Sequence, residues 1–255
     1  MLKQTRSTEN YLKAIFRLSG MDFGGLPKGE LPYMVGTNDL ASELQAKASS
    51  VTNMLLKLAE RGHVAYVPYH GALLTPSGVY LAYQVVRRHR LWEYFLAKRL
   101  GFSSHEIHEL AEEMEHVRSL PLTERLAKYL EEPQWDPHGD PIPSEDGTMP
   151  AMRRETLWDA QRRIQPRPTG QEFKFSFCGF TNRSSDLNKV IQSLGIRIGN
   201  SFQIHASPQD HEGLCTVQLP DLKEVIFTEA MAKEIMVVRK YPFGTFVLEE
   251  DRSNP

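Results

Sequence analysis

Cysteine is nearly absent from this chain. Its 255 residues hold two, Cys178 and Cys215. Two are too few for a disulfide framework, and a reducing cytoplasm would keep them as thiols. Long apolar runs are missing as well. None approaches the ~18 residues that a membrane span needs. The N-terminus, MLKQTRSTEN, has no apolar stretch of signal-peptide type, so the chain is expected to be cytoplasmic, with no membrane partner. There is no Gly-rich phosphate loop and no nucleophile motif of the G-x-S-x-G type, so neither an enzyme nor a small organic substrate is indicated. A strong net charge is lacking too. The formal value is −2, which gives no global hint of nucleic acid.

The distribution of charge says more than its sum. Residues 76–150 carry eight Lys/Arg and thirteen Asp/Glu, so the acidic excess sits in the middle third. Clustered acids usually form only a solvated face, but acids mixed with histidines can also attract cations.

The expected class is α+β, with a winged helix-turn-helix, a helical dimerisation domain and a C-terminal SH3-like small β-barrel. Tyr11, Leu12, Ile15, Phe16 and Leu18 fall at helical spacing behind a Ser7/Thr8 cap. Residues 20–36, with five glycines and two prolines, read as a loop, ending in a short strand near Tyr33–Val35. A helix after Thr37 or Asn38 and another from Ala48 to Gly62 precede HVAYV, a PYHG turn and ALLT, which form a hairpin. A hairpin directly after a helix-turn-helix is a wing.

Thr75 and Pro76 open a long helix through about Leu100, Ser103/Ser104 cap another to about Arg118, and Pro121 starts a third. Three helices after a winged domain suit a homodimer interface. The boundaries are therefore 1–75 for the winged helix-turn-helix, 76–143 for the helical domain, 144–170 for a linker and 171–240 for the small β domain. The linker holds one short helix at 151–164. Short alternating strands and a helix capped by Ser184/Ser185 and closed by Gly195 fill the last domain, compatible with a five-stranded barrel.

A helix that reads DNA needs small polar residues near its N-terminus, so that it can approach base edges and phosphates. Here that segment supplies Lys47, Ser49, Ser50, Thr52 and Asn53. Lys47 can meet a phosphate, the hydroxyls can donate to phosphate or base, and Asn53 can pair with adenine. Val51, Leu55 and Leu58 would face the core. The partner is double-stranded operator DNA. The bland alternative is a capped amphipathic helix with a solvated polar face.

The run from His108 to His116 places His108, Glu112, Glu115 and His116 within roughly 100° of one helix face. His89 and Glu93, four apart on the preceding helix, share a face of their own. If the helices pack antiparallel, these faces converge. Such N/O ligands suit Mn²⁺, Fe²⁺, Co²⁺, Ni²⁺ or Zn²⁺, and the lack of cysteine argues against thiolate sites. Gathering Glu93, Glu112 and Glu115 without a cation would be costly. Two other readings compete. One is a di-metal helical enzyme, disfavoured because no partner helix repeats a Glu-x-x-His motif. The other is a winged-helix regulator that answers a non-metal effector, with structural histidines.

These stretches bring a family into view. Over roughly residues 7–240 the chain resembles the DtxR/MntR family of metal-dependent repressors. The matching segments are S-T-E-x-Y-L in the first helix, S-S-V-T-x-M in the recognition helix, R-x-H-R-L-x-E at 87–93, H-x-x-x-E-x-x-E-H at 108–116 and DPHGDPIP at 136–143. DLNKVIQSLGIRIGN looks like the family's SH3-like, FeoA-type domain. The resemblance implies a repressor that controls metal-ion homeostasis, with two ions per subunit. An ancillary site would use His89, Glu93 and His108. A primary site would use Asn10, Glu112, Glu115 and His116. Glu112 leans toward Mn(II), with Fe(II) as the alternative. Asn10 fits neither metal type's pattern and supplies a neutral amide oxygen. Some manganese-type members take a further ligand at the position of Lys13, which an ammonium cannot provide. Longer members add ligands from the C-terminal domain. The match puts Gly179 and Asn182 there, so at most one ligand is expected from it.

Overall fold

The computed structural model describes residues 5–23, 32–150, 152–164, 174–181, 185–204, 213–221 and 223–240. Its first helix, α1 (Arg6–Leu18), buries Leu12, Ile15 and Phe16 completely, as the helical spacing requires. The cap is Thr5, whose hydroxyl accepts from the Thr8 N–H at 3.2 Å. Thr8 was expected to cap but is itself buried in the first turn.

Helices α2 (Thr37–Glu43) and α3 (Ala48–Glu60) are joined by a turn in which Gln45 takes a positive φ of 48°. Strands β1 (Val64–Val67) and β2 (Gly71–Leu74) pair antiparallel to make the wing, and Val35 bridges to Ala72. Gly71 permits that bridge. Its φ is +123°, and a Cβ there would lie 2.5 Å from the Val35 carbonyl oxygen.

The long helix α4 (Pro76–Arg99) starts under the Thr75 hydroxyl, which accepts from Gly78 N–H at 3.2 Å. Its first half, with Ala82 and Val86, completes the core of the reading head. Leu91 and Leu96 in its second half anchor the helical module. Helix α5 (Ser104–Met114) packs Ile107 and Ala111 against Leu96. It ends before Arg118, the expected limit. Glu115 is its C-cap, and His116 lies in the turn beyond. The four residues of the expected stripe are thus divided between helix and turn. Helix α6 (Leu120–Tyr129) then packs Leu126 and Ala127 onto Leu91.

The C-terminal domain comprises β3 (Arg154–Thr156), α7 (Leu157–Arg163), β4 (Lys174–Phe180), α8 (Ser185–Ser193), β5 (Ser201–Ile204), β6 (Leu214–Gln218), β7 (Glu224–Thr228), α9 (Glu229–Glu234) and β8 (Ile235–Lys240). Its antiparallel sheet runs β3-β8-β4-β5-β6-β7. This is an SH3-like arrangement with six strands where five were anticipated. Among the described residues β3 and β7 do not pair, so hydrogen bonds do not close the sheet into a barrel. The extra strand comes from the stretch read as linker. Leu157 and Ala160 of α7 are buried with Phe175, Phe177, Ile191 and Phe202, so residues 154–163 belong to this domain's core. Their charged sequence hid this because only one face of a two-turn helix is apolar. Ser184, read as a cap, lies outside the described residues.

Polar ties among the described residues hold this domain against the rest. Arg154 Nη2 donates to the Gly20 carbonyl at 3.0 Å. The Tyr33 hydroxyl accepts from Phe180 N–H at 2.8 Å. Lys240 Nζ lies 2.8 Å from the Asp140 carboxylate.

Candidate metal centre

Two groups of donors meet where α1, α4 and α5 come together. In the first, α4 sets His89 and Glu93 one turn apart and α5 brings His108 across from them. Glu93 Oε1 lies 3.1 Å from His89 Nε2 and 3.1 Å from His108 Nδ1. One donor atom from each of the three lies within 4.8 Å of the others, and Glu93, Asp136 and His138 form a second such group. His138 Nδ1 is 3.6 Å from Glu93 Oε2. The loop is held by Asp136 Oδ1, which accepts from the N–H groups of His138 and Asp140, both at 2.8 Å. Sequence reasoning quoted the DPHGDPIP motif without assigning Asp136 or His138. Two side chains in a Pro/Gly loop carry no periodicity, and only the tertiary fold lays that loop against α4.

In the second group, Glu115 is 1 % exposed. Its Oε2 lies 2.8 Å from Lys13 Nζ and 2.7 Å from His89 Nδ1. Its Oε1 is buried without a hydrogen-bond partner, and so is Asn10 Oδ1. His116 Nε2 is 3.7 Å from Glu115 Oε1, beyond hydrogen-bond reach. His116 Nδ1 is 2.7 Å from Glu9 Oε2, and a proton placed there leaves Nε2 with its lone pair outward. Glu9 is a buried hub that sequence reasoning missed. Arg88 Nη2 and Arg118 Nε also donate to it, at 2.8 and 2.9 Å. Glu112 stands apart from Asn10 and His116. Its side chain is half exposed, 3.6 Å from Lys13 Nζ and 3.6 Å from His108 Nε2.

The electrostatics follow from this crowding. Burial opposes ionisation of Glu93, but the His89 charge and the imidazoles of His108, His138 and His89 around it outweigh it and hold the carboxyl well below its usual range. Burial likewise opposes a charged His89. The Glu93 and Glu115 carboxylates beside it overcome that and raise its pKa to about 9. Asp136 is pushed up to about 7, by burial first and then by Asp140 and Glu93.

This donor set fits a divalent cation. The donors are carboxylate and amide oxygens and imidazole nitrogens, with no thiolate. Buried acceptors with no donor are costly, and a cation bound beside either of these oxygens would relieve that cost. A cleft of about 520 Å³ reaches Asn10, His89, Glu93, His108, Glu112 and His138. Two C-terminal positions were matched to extra ligands. Gly179 has no side chain, and a Cβ there would lie 2.3 Å from the Tyr33 hydroxyl. Asn182 lies outside the described residues.

On α3, Val51, Leu55 and Leu58 are fully buried, while Lys47, Ser49, Ser50 and Asn53 are exposed. Thr52 differs from the expectation in one respect. Its hydroxyl donates to the Ala48 carbonyl at 3.1 Å, within its own helix.

Two family models match the chain. The iron dependent repressor, N-terminal DNA binding domain, covers residues 3–72, and the iron dependent repressor, metal binding and dimerisation domain, covers residues 75–144. The chain belongs to the DtxR/MntR family of metal-dependent transcriptional repressors. It is 31% identical over 127 residues to the HTH-type transcriptional regulator MntR of Listeria welshimeri, covering 50% of this chain and 82% of that one. A solved manganese-dependent transcriptional repressor in complex with manganese is 29% identical, with a TM-score of 0.54, over 91% of this chain and 99% of that one. A shorter match is 45% identical over 74 residues to a probable metal transport system membrane protein of Chlamydia trachomatis. There the chain spans only 16% of the relative's length. No described helix of this repressor is long and apolar enough to cross a membrane.

Proposed function

We propose that this family member is a homodimeric repressor that binds operator DNA when loaded with a divalent ion, Mn(II) in the first place and Fe(II) as the alternative. The observation that carries the reading is the pair of buried, donor-less oxygens, Asn10 Oδ1 and Glu115 Oε1. One belongs to α1 of the reading head and the other to the end of α5. With His116 Nε2 3.7 Å from Glu115 Oε1, and Glu112 one turn earlier on α5, they form the primary site. His89, Glu93 and His108 form the ancillary site, with Asp136 and His138 beside Glu93. An oxygen-rich set without thiolate favours Mn(II) over softer ions, in keeping with the manganese complex of the solved relative.

A bound divalent ion would supply the directed bonds that these two oxygens lack. Asn10, gripping from α1, and Glu115 and His116, gripping from beyond α5, then fix the angle between reading head and helical module. In a dimer that angle sets the separation of the two α3 helices, which must match half-sites about one DNA turn apart. Lys47, Ser49 and Ser50 approach phosphate and Asn53 a base edge. Homodimerisation is supported by Val117, Leu120 and Leu122, apolar residues exposed on the single subunit's helical module.

The test is a selection of bound duplexes from a random library in the presence of Mn(II), followed by titration of the recovered operator. Wild type should bind it only with metal, and Glu115→Gln should lose the metal stimulation. Equal binding by the metal-stripped protein would refute the mechanism.

A further inference from the structure

We propose that Lys13 is a built-in competitor for the primary ion, and that it sets how much free metal this repressor needs before it loads. The proposal rests on the metal site described above and concerns its affinity. Lys13 lies on α1, one turn beyond Asn10, so the helix that contributes a ligand also delivers a positive charge. Its ammonium lies 2.8 Å from Glu115 Oε2 and 3.6 Å from Glu112 Oε1. Both carboxylates of the primary site are therefore already compensated when no ion is bound. The cost of gathering acids without a cation, which would otherwise drive metal uptake, is largely relieved in advance.

Two consequences follow. Glu112 has to leave its ion pair with Lys13 and its contact with His108 before it can turn toward Asn10 and His116. An incoming divalent ion must also displace or settle beside that charge, because the ammonium is carried on α1 and offers no lone pair to the metal. Glu115 divides the labour between its oxygens: Oε2 serves Lys13 and His89, while Oε1 remains without a partner. The site thus stays available to an ion but weakened toward it. Lys13 does not prevent loading. It raises the metal concentration at which loading occurs.

The experiment uses the full-length, metal-stripped protein and Mn(II) alone, with free Mn(II) read from its six-line electron paramagnetic resonance signal. Wild type, Lys13→Met, Lys13→Arg and Glu115→Gln are compared at one pH and salt concentration. Lys13→Met keeps most of the apolar stem and removes the charge. It should load its primary ion at about tenfold lower free Mn(II), with the number of ions per subunit unchanged. Lys13→Arg retains the charge and should stay close to wild type, which separates a charge effect from a packing effect. Glu115→Gln should lose one ion and so identifies which binding step is the primary one. Equal or weaker primary binding in Lys13→Met, with wild type still taking up metal, overturns this proposal alone. An absence of uptake by wild type overturns the metal reading and this proposal with it.

Discussion

Loading the metal-free protein with Mn(II) at pH 7.5 is expected to release about one proton per subunit, chiefly from His89. This ring is held between two carboxylates, with Nε2 3.1 Å from Glu93 and Nδ1 2.7 Å from Glu115. Burial by itself would lower its pKa. The Glu93 and Glu115 carboxylates on either side prevail and raise it to about 9. At pH 7.5 roughly 97% of subunits then carry the proton, by the ordinary titration relation. A protonated imidazole has no lone pair for metal, so ligation must expel it. His138, whose pKa the neighbouring Glu93 also raises, lies 3.6 Å from the same carboxylate. Calorimetric titration in two buffers of different ionisation enthalpy counts the protons, and His89→Gln should remove most of them. Release below roughly a third of a proton in wild type would refute the reasoning. The same shift has a stability sign. The folded pKa is above the unfolded one, so the stabilisation of the metal-free fold is complete below about pH 6.5 and is lost as pH rises through about 9. Its size is on the order of 3 kcal/mol at most, readable from urea midpoints at pH 6 and pH 9.5.

Other expectations follow from the same geometry. Glu9→Ala leaves Arg88 buried without its carboxylate and should cost about 3–5 kcal/mol in urea unfolding. It also frees the His116 ring from its orienting bond, and Mn(II) affinity at the primary site should drop about 10–100-fold. Asn53→Ala, on the exposed face of α3, should leave thermal stability within about 0.5 kcal/mol of wild type. Its operator affinity should nevertheless fall by about 1–3 kcal/mol in fluorescence anisotropy. A stable Asn53→Ala protein with full affinity would remove Asn53 from the reading surface.

The metal centre was only partly legible in the sequence. His89 and Glu93 could be paired on one face because four residues make about one helical turn, and that relation survives in α4. His108 was placed correctly against them because it too lies on a continuous helix. The prediction weakened at Glu115 and His116, where α5 ends and helical angles stop applying. It missed Glu9, Asp136 and His138. Glu9 looks like an ordinary acid in a first turn until Arg88, Arg118 and His116 are seen converging on it from positions about 80 to 110 residues away. The strand at 154–156 was missed for a similar reason. Three residues of intermediate burial have no alternation to read, and their pairing with β8 is long-range.

By itself, the sequence determined the local order of this repressor. It set the turn-punctuated reading head, the apolar stripes that bury Leu12, Leu55 and Leu91, the wing and the oxygen- and imidazole-rich ligand chemistry. These depend on spacing along one chain segment, which periodicity records. Tertiary structure alone decided which donors face one another: that Asn10 and one oxygen of Glu115 are left without hydrogen-bond partners, that Lys13 takes the other oxygen, and that the 136–140 loop closes over Glu93. Such juxtapositions arise from packing between distant segments, and no local pattern encodes the distance between two side chains that meet only after folding.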